Sequence, residues 1–214
     1  MKQFSLILLA CGLSLGASAQ ISITAASPVY FQNFNSLDTG ATNSANLPTG
    51  WKIAEAGSSA SANGQYRSGN GSANAGDTYS FGATQNIDRA LGSLASNTLQ
   101  AHFGAAFVNN TGSAISSMTV NYRCEQWRAG DTVQRPDSLR FFYSLTASDI
   151  DTTLTGWTEV VALMGNSAQL QGNGALDGNT VFNTVNGTVS VTIPAGATSA
   201  LSGSIKTLWA LMTR

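Results

Sequence analysis

Charge is the first thing this sequence has little of. Ten Lys plus Arg stand against 11 Asp plus Glu in 214 residues, and charged side chains make up 10% of the chain, where an average domain carries about 25%. A net charge of −1 with no Lys/Arg run offers nothing to follow a phosphate backbone, so nucleic-acid binding by this chain is excluded. The same near-neutrality argues against disorder, which wants high net charge and few aromatics. Histidine is down to one residue, His102, and cysteine to two, Cys11 and Cys124. That is too few imidazoles and thiols for a zinc-type site. No Gly-x-Ser-x-Gly elbow surrounds any serine, so Ser-His-Asp and Cys-His chemistry lack their parts.

Glutamate is scarce as well: Glu55, Glu125 and Glu159 are the whole supply. A glycosidase needs two carboxylates, one protonated and one ionised, roughly 5 to 10 Å apart. Glu125 is the best acid, but Arg123 and Arg128 beside it favour an ion pair, and no acid adjoins it in sequence. The E-x-D-x-x-E signature of sandwich-fold glycosidases is absent. The chain is therefore expected not to be an enzyme.

What is present begins with the leader, MKQFSLILLACGLSLGASAQ. Lys2, the apolar run Phe4 to Leu15 and the small-x-small step Ala17-Ser18-Ala19 read as a signal peptide over residues 1–19, too short to span a membrane. Lipoprotein processing at Cys11 stands beside it as a second reading, since Leu8-Leu9-Ala10-Cys11 loosely resembles a lipobox. Export places the product outside the cell or on the surface of a bacterium, with the periplasm as an alternative. Without its leader the chain keeps Cys124 alone, so an internal disulfide is excluded and one hydrophobic core over residues 20–214 must hold a single domain.

Period-two alternation recurs, and no run of period 3.6 follows the leader. Leu99, Ala101, Phe103, Ala105 and Phe107 share one face, with His102 on the opposite, solvated one. Tyr122 and Cys124 share an inward face, while Thr119, Arg123, Glu125 and Trp127 point out. Leu139, Phe141, Tyr143 and Leu145 oppose Arg140 and Phe142. Residues 157–164 and 188–193 read as further strands. Residues 57–76 read as a surface loop around one short strand, and 164–182 as a second long loop. Many strands, each apolar on one face, predict an all-β antiparallel sandwich, of the jelly-roll, concanavalin-like kind.

If 117–127 pairs with 138–146 as a hairpin, Arg123, Glu125 and Trp127 meet Arg140 and Phe142 on one outer face. Two readings of that face follow. It is a sugar-stacking platform of planar donors and aromatics, or the charged residues form a cross-strand ladder that braces the sheet, with Trp127 capping its edge. No cofactor is required. A structural calcium ion held by Asp177 and Asn179 in "ALDGN" is the one candidate, and that triplet is more simply a turn.

The segments "FQNFNSL…LPTGW", "DRALGSL", "FGAAFVNNTGSAISSMTVNYRCEQWR", "DSLRFFYSL", "GWTEVVAL" and "ALDGN" carry a resemblance over most of residues 28–209. Together they resemble a secreted bacterial domain found at the N-terminus of extracellular endonuclease-type proteins and in PEP-CTERM-sorted or autotransporter-like surface proteins. The resemblance implies a lectin-like, non-catalytic sandwich, with nuclease chemistry in a separate domain. Members run on past Leu-Trp through an acidic loop to a "GLAIDDF"-type strand, whereas here Trp209 is followed by Ala-Leu-Met-Thr-Arg. The expectation is a truncated or frameshifted reading frame that lacks its last strand or strands. The functions in view are a surface-interaction or polysaccharide-binding module, an accessory piece of a larger extracellular endonuclease or phosphodiesterase, and a structural surface protein without a small ligand.

Overall fold

The computed structural model describes residues 20–134, 136–205 and 209–212; the leader, residues 1–19, lies outside the described residues. Two sheets hold nearly all of it. In the first, β6 (Gln100–Asn110) carries β1 (Ile21–Thr24, parallel) and β2 (Trp51–Ala56, antiparallel) along one edge. Its other edge pairs with β14 (Thr198–Ile205), which pairs with β9 (Ser138–Ser144). Two short strands, β10 (Thr158–Glu159) and β11 (Gly165–Asn166), complete these seven strands on the far side of β9.

The second sheet has six strands, in the order β13 (Phe182–Ile193), β7 (Ile115–Glu125), β15 (Trp209–Met212), β5 (Ala90–Leu94), β4 (Asp77–Phe81) and β3 (Tyr66–Gly69). A small ribbon of β8 (Arg128–Asp131) and β12 (Gly172–Ala175) hangs from its end. Only β1 with β6 and β3 with β4 run parallel. The fold is an all-β sandwich, as the alternation implies.

The inner faces supply the core. Phe103, Leu139 and Phe141 of the first sheet meet Tyr66, Tyr79, Leu91, Tyr122 and Val185 of the second. Tyr122 and Phe141 stack between the layers, centroids 6.4 Å apart and 16° from parallel. Each such side chain contributes about 1.5–3 kcal/mol by leaving water. Cys124 and Tyr122 face inward as expected, at 0% and 1% exposure.

Four sequence expectations change. The 117–127/138–146 hairpin does not form: β7 pairs with β13 over Phe182 to Ile193, and β9 lies in the other sheet. Both strands have apolar inner faces, so they stack across the core and do not lie edge to edge. His102 is not solvated but completely buried, because both faces of β6 are covered. Its outer positions Gly104 and Ala106 are small, and the segment 145–157 is tied to this sheet through Asp149 to Lys52 and the Gly156 carbonyl to Ser144. Phe142 is buried by the same layer, while Leu145 is 38% exposed. Finally, 157–164 is not one strand: β10 ends at Glu159 and a 3-10 turn takes Val161–Leu163.

That turn returns Leu163 to the core, where its carbonyl accepts the Tyr122 hydroxyl at 2.5 Å. Gly165 follows, and a Cβ there would sit 2.6 Å from the Cys124 Sγ. Burial pushes the Cys124 thiol up to about 12, with the neighbouring Glu125 charge adding to the effect. The thiolate is the reactive species. A chain of residues 20–214, whose one cysteine is Cys124, should therefore resist an aromatic disulfide reagent at neutral pH and release one equivalent of chromophore only after urea unfolds it. Prompt stoichiometric reaction of the native chain would show that β7 is not packed in this way.

Candidate functional site

The five residues expected to form one platform fall into two clusters on different sheets. Arg123 and Glu125 lie on β7 of the second sheet and Trp127 just past its end; Arg123 is partly buried and the other two are inside. Glu125 is fully buried and Trp127 is 3% exposed. The outward pattern fails here because β7 ends at Glu125, and alternation does not continue through Gln126 and Trp127. The Trp127 indole donates to the Glu125 Oε2 at 3.1 Å and lies parallel to Phe81 at 6.3 Å. Arg123 reaches the same carboxylate at 3.8 Å, donates to the Asn179 carbonyl at 3.0 Å, and stacks on the Phe182 ring at 3.8 Å. This cluster cannot stack a sugar. It also is not the expected ladder with Arg140, which lies in the other sheet.

The turn around Asp177 and Asn179 packs on that tryptophan. Asp177 Oδ1 accepts the Asn179 N–H at 3.0 Å, and its carbonyl accepts the N–H groups of Thr180 and Val181. A Cβ on Gly178 would lie 2.3 Å from the Trp127 Nε1, so the turn fits only as glycine. Among the described residues no group of three or more His, Cys, Asp or Glu side chains could hold a metal ion. The Asp-Gly-Asn triplet does the work of a turn.

Arg140 and Phe142 lead to a different surface, the outer face of the seven-stranded sheet. Arg140 grips Glu159 with two parallel bonds, Nε to Oε1 at 2.6 Å and Nη2 to Oε2 at 2.5 Å. Its guanidinium lies over the Phe142 ring at 4.8 Å. The hydrogen bonds of this pair hold the Glu159 carboxyl below its ordinary value and raise that of Arg140. In register, His102 faces Ser204 and Ser204 faces Arg140, so the lone histidine belongs to this patch. Neither of its ring nitrogens has a hydrogen-bond partner, and burial lowers its pKa, with Arg140 acting in the same direction and Asp151 against. His102 is a neutral imidazole.

Above it runs the 145–157 segment. Asp149 pairs with Lys52 of β2, and the Gly156 carbonyl accepts the Ser144 hydroxyl at 2.9 Å. Burial alone would raise the Asp151 carboxyl, yet the N–H groups of Leu154 and Thr153, the Thr153 hydroxyl and the nearby Trp157 indole outweigh it and lower the value. The Trp157 N–H faces that carboxylate without a well-formed hydrogen bond. The patch thus gathers two ion pairs, Lys52–Asp149 and Arg140–Glu159, around the half-buried Trp157. Of these, sequence reasoning reached Arg140 and Phe142 only. No local motif links them to Lys52, Asp149, Asp151, Trp157 and Glu159.

A carboxylate pair also emerges that the sequence did not reveal. Glu55 accepts the Thr78 hydroxyl at 2.5 Å and the N–H groups of Asn63 and Gly64 at 2.9 Å each, which closes the 57–65 loop. Asp77 lies close by, paired with Arg67 at 2.6 Å. Desolvation raises both carboxyls, more than the hydrogen bonds and Arg67 lower them, and the Asp77 charge lifts Glu55 further. Twenty-one residues of Gly/Ser/Asn-rich chain lie between the two acids, so spacing gave no signal.

No family model matches the chain, and no curated protein matches it. Among solved structures it is similar to the enzymatically active domain of tailspike protein 4 of bacteriophage CBA120, with a TM-score of 0.40 and 10% identity. The match covers 84% of this chain and 20% of the tailspike chain, so the chain spans about a fifth of that protein's length. The expectation of a non-enzyme is corrected on this finding, because the similar chain is itself an enzymatically active domain. At that TM-score the likeness assigns no activity here. Among the described residues no helix is long and apolar enough to cross a membrane.

Two outcomes follow from this geometry. Trp127→Ala should cost about 3–5 kcal/mol, the range for deleting a buried aromatic, read as a lower urea midpoint. A cost below about 1 kcal/mol would mean the indole is not seated in the core. For Glu55 the folded state favours the protonated acid, so its contribution is full below the ordinary carboxylate value and is lost as pH rises through the raised one. Relative to wild type, Glu55→Gln should gain unfolding free energy steadily from about pH 4 to about pH 7. A difference that stays flat across that window would contradict the assignment.

Proposed function

We propose that this chain is an exported carbohydrate-binding module of the bacterial surface or surroundings, and that its glycan lies on the outer face of the seven-stranded sheet. The observation that carries the reading is the Arg140–Glu159 pair seated over Phe142, with the half-buried Trp157 two positions before Glu159 in the chain. Saccharides are recognised by planar side chains that hold hydrogen bonds at fixed angles and by aromatic rings that take their C–H faces. Glu159 fixes the guanidinium through Nε and Nη2. Among the described residues its Nη1 donors have no acceptor, which leaves them for a sugar hydroxyl. Lys52 and Asp149, 40% and 45% exposed, extend the same face with a further donor and acceptor.

The export reading of the leader and the resemblance to a secreted lectin-like domain support the same proposal. So does the absence of any basic track for nucleic acid.

The test is a glycan array followed by polysaccharide pull-down with the mature chain. Arg140→Ala should weaken binding by about 10–100-fold, the range for a hydrogen bond from a charged group. Trp157→Ala should weaken it too, while the melting temperature of both variants stays within a few degrees of wild type. Trp127→Ala serves as the misfolded control. If the folded wild type binds no glycan, the proposal fails and a structural surface role takes its place.

A further inference from the structure

Away from that face, the two sheets leave a space between them where β6 and β7 meet β1. A cavity of about 560 Å3 opens there, walled by Ala105 and Phe107 of β6, Met118 and Val120 of β7, and the side chains of Tyr30 and Trp51. Its rim carries Val29 and Phe31, 78% and 60% exposed. The wall follows β6 from Gly104 to Asn109, a run of roughly 17 Å at strand spacing. The space is therefore elongated. No Asp, Glu, Lys, Arg or His side chain lines it, so a charged occupant would lose its hydration with no counter-charge to replace it.

Of the polar side chains in the wall, which include Ser117, Thr119, Asn121 and Ser199, the Tyr30 hydroxyl is the one set among the aromatic rings to orient a ligand. The Tyr30 hydroxyl accepts hydrogen bonds from the Trp51 indole at 2.8 Å and the Gln32 amide at 3.2 Å. Among the described residues its own proton has no acceptor. Asn109 offers no second handle, since its amide is spent on the carbonyls of Ser113, Ile193 and Pro194. Small-molecule sites share this makeup: roughly 300–1,000 Å3, mostly apolar walls, and a few placed polar groups.

We propose that this cleft binds the acyl chain of a neutral lipid, with the ester or amide carbonyl of that chain accepting a hydrogen bond from Tyr30. The uncharged wall selects the chain, and the Tyr30 donor selects the carbonyl at its end.

The experiment titrates the mature chain with the methyl ester of a fluorescent conjugated polyene fatty acid. One-to-one saturable binding, displaced by a non-fluorescent long-chain methyl ester, is expected. Met118→Trp should fill the space and abolish binding while the melting temperature holds. Tyr30→Phe should weaken the ester several-fold yet leave binding of pyrene, which has no carbonyl, unchanged. Three results would overturn the proposal. They are a folded wild type that does not bind, a Met118→Trp variant that binds undiminished, and a probe-free dimer by light scattering that Phe31→Ser dissociates. The last would mean that a second copy covers the cleft.

Discussion

The burial of Trp127 against the Glu125 carboxylate fixes more of this molecule than any other contact. Once the indole lies inside, two stretches distant in sequence must close around it. Gly71, with φ at +84°, passes so near that a Cβ would fall 1.7 Å from the Trp127 carbonyl. The Leu176 N–H donates to that carbonyl at 2.9 Å, and Gly178 lies on the ring. Next to it Gln126 exchanges hydrogen bonds with the Gln169 backbone at 2.9 and 2.8 Å, and Arg128 donates to the carbonyls of Gly71 and Ser72. The long polar loops 57–76 and 164–182 thus end on one tryptophan. Loops this rich in Gly, Ser and Asn hold little apolar surface of their own, so an anchor in the core is what orders them.

Buried polar groups elsewhere divide by whether their bonds are met. Arg89, 1% exposed, donates to the Ser80 hydroxyl at 2.8 Å and to the carbonyls of Ser80, Ala83 and Gly69. A guanidinium satisfied by carbonyls can stay inside at tolerable cost. His102 is the opposite case, buried with both nitrogens unpartnered. Its neutrality makes that position bearable, since burying an ionised imbalance would cost far more. The covering segment 145–157 is therefore held by Lys52–Asp149 and by Ser144 to Gly156, and not by the histidine beneath it.

The fold class was legible because alternation is a local property: Phe103, Tyr122, Leu139 and Val191 face inward as their spacing implies. Strand partners were not, because β7 takes β13 from nearly sixty residues away and adjacent strands were free to enter opposite sheets. Alternation also misled where an outer face acquires a second cover, as at His102 and Phe142, or where the strand stops, as before Trp127. Arg140 and Phe142 were named from their residue types and do share a surface. Asp149 comes to that surface on a cover segment without periodicity, and Glu159 comes on a short strand whose pairing with Phe142 no local pattern announces.

Scarcity of charge gives each acid a distinct physical task. The three glutamates are spent in three environments: Glu125 inside against an indole, Glu55 at a loop closure where burial favours its protonated form, and Glu159 half-exposed on an arginine. Burial removes the first from solution chemistry, and the second is committed to two backbone N–H groups and the Thr78 hydroxyl. Only the third stands where a solute can reach it, on a guanidinium with donors to spare. Under the two proposals, a polar solute meets the outer face of the seven-stranded sheet and an apolar one the uncharged space between the sheets. Composition limits what each surface can carry: a chain with so few charges cannot line both with them, and the two ion pairs with both partners partly exposed, Lys52–Asp149 and Arg140–Glu159, fall on one sheet.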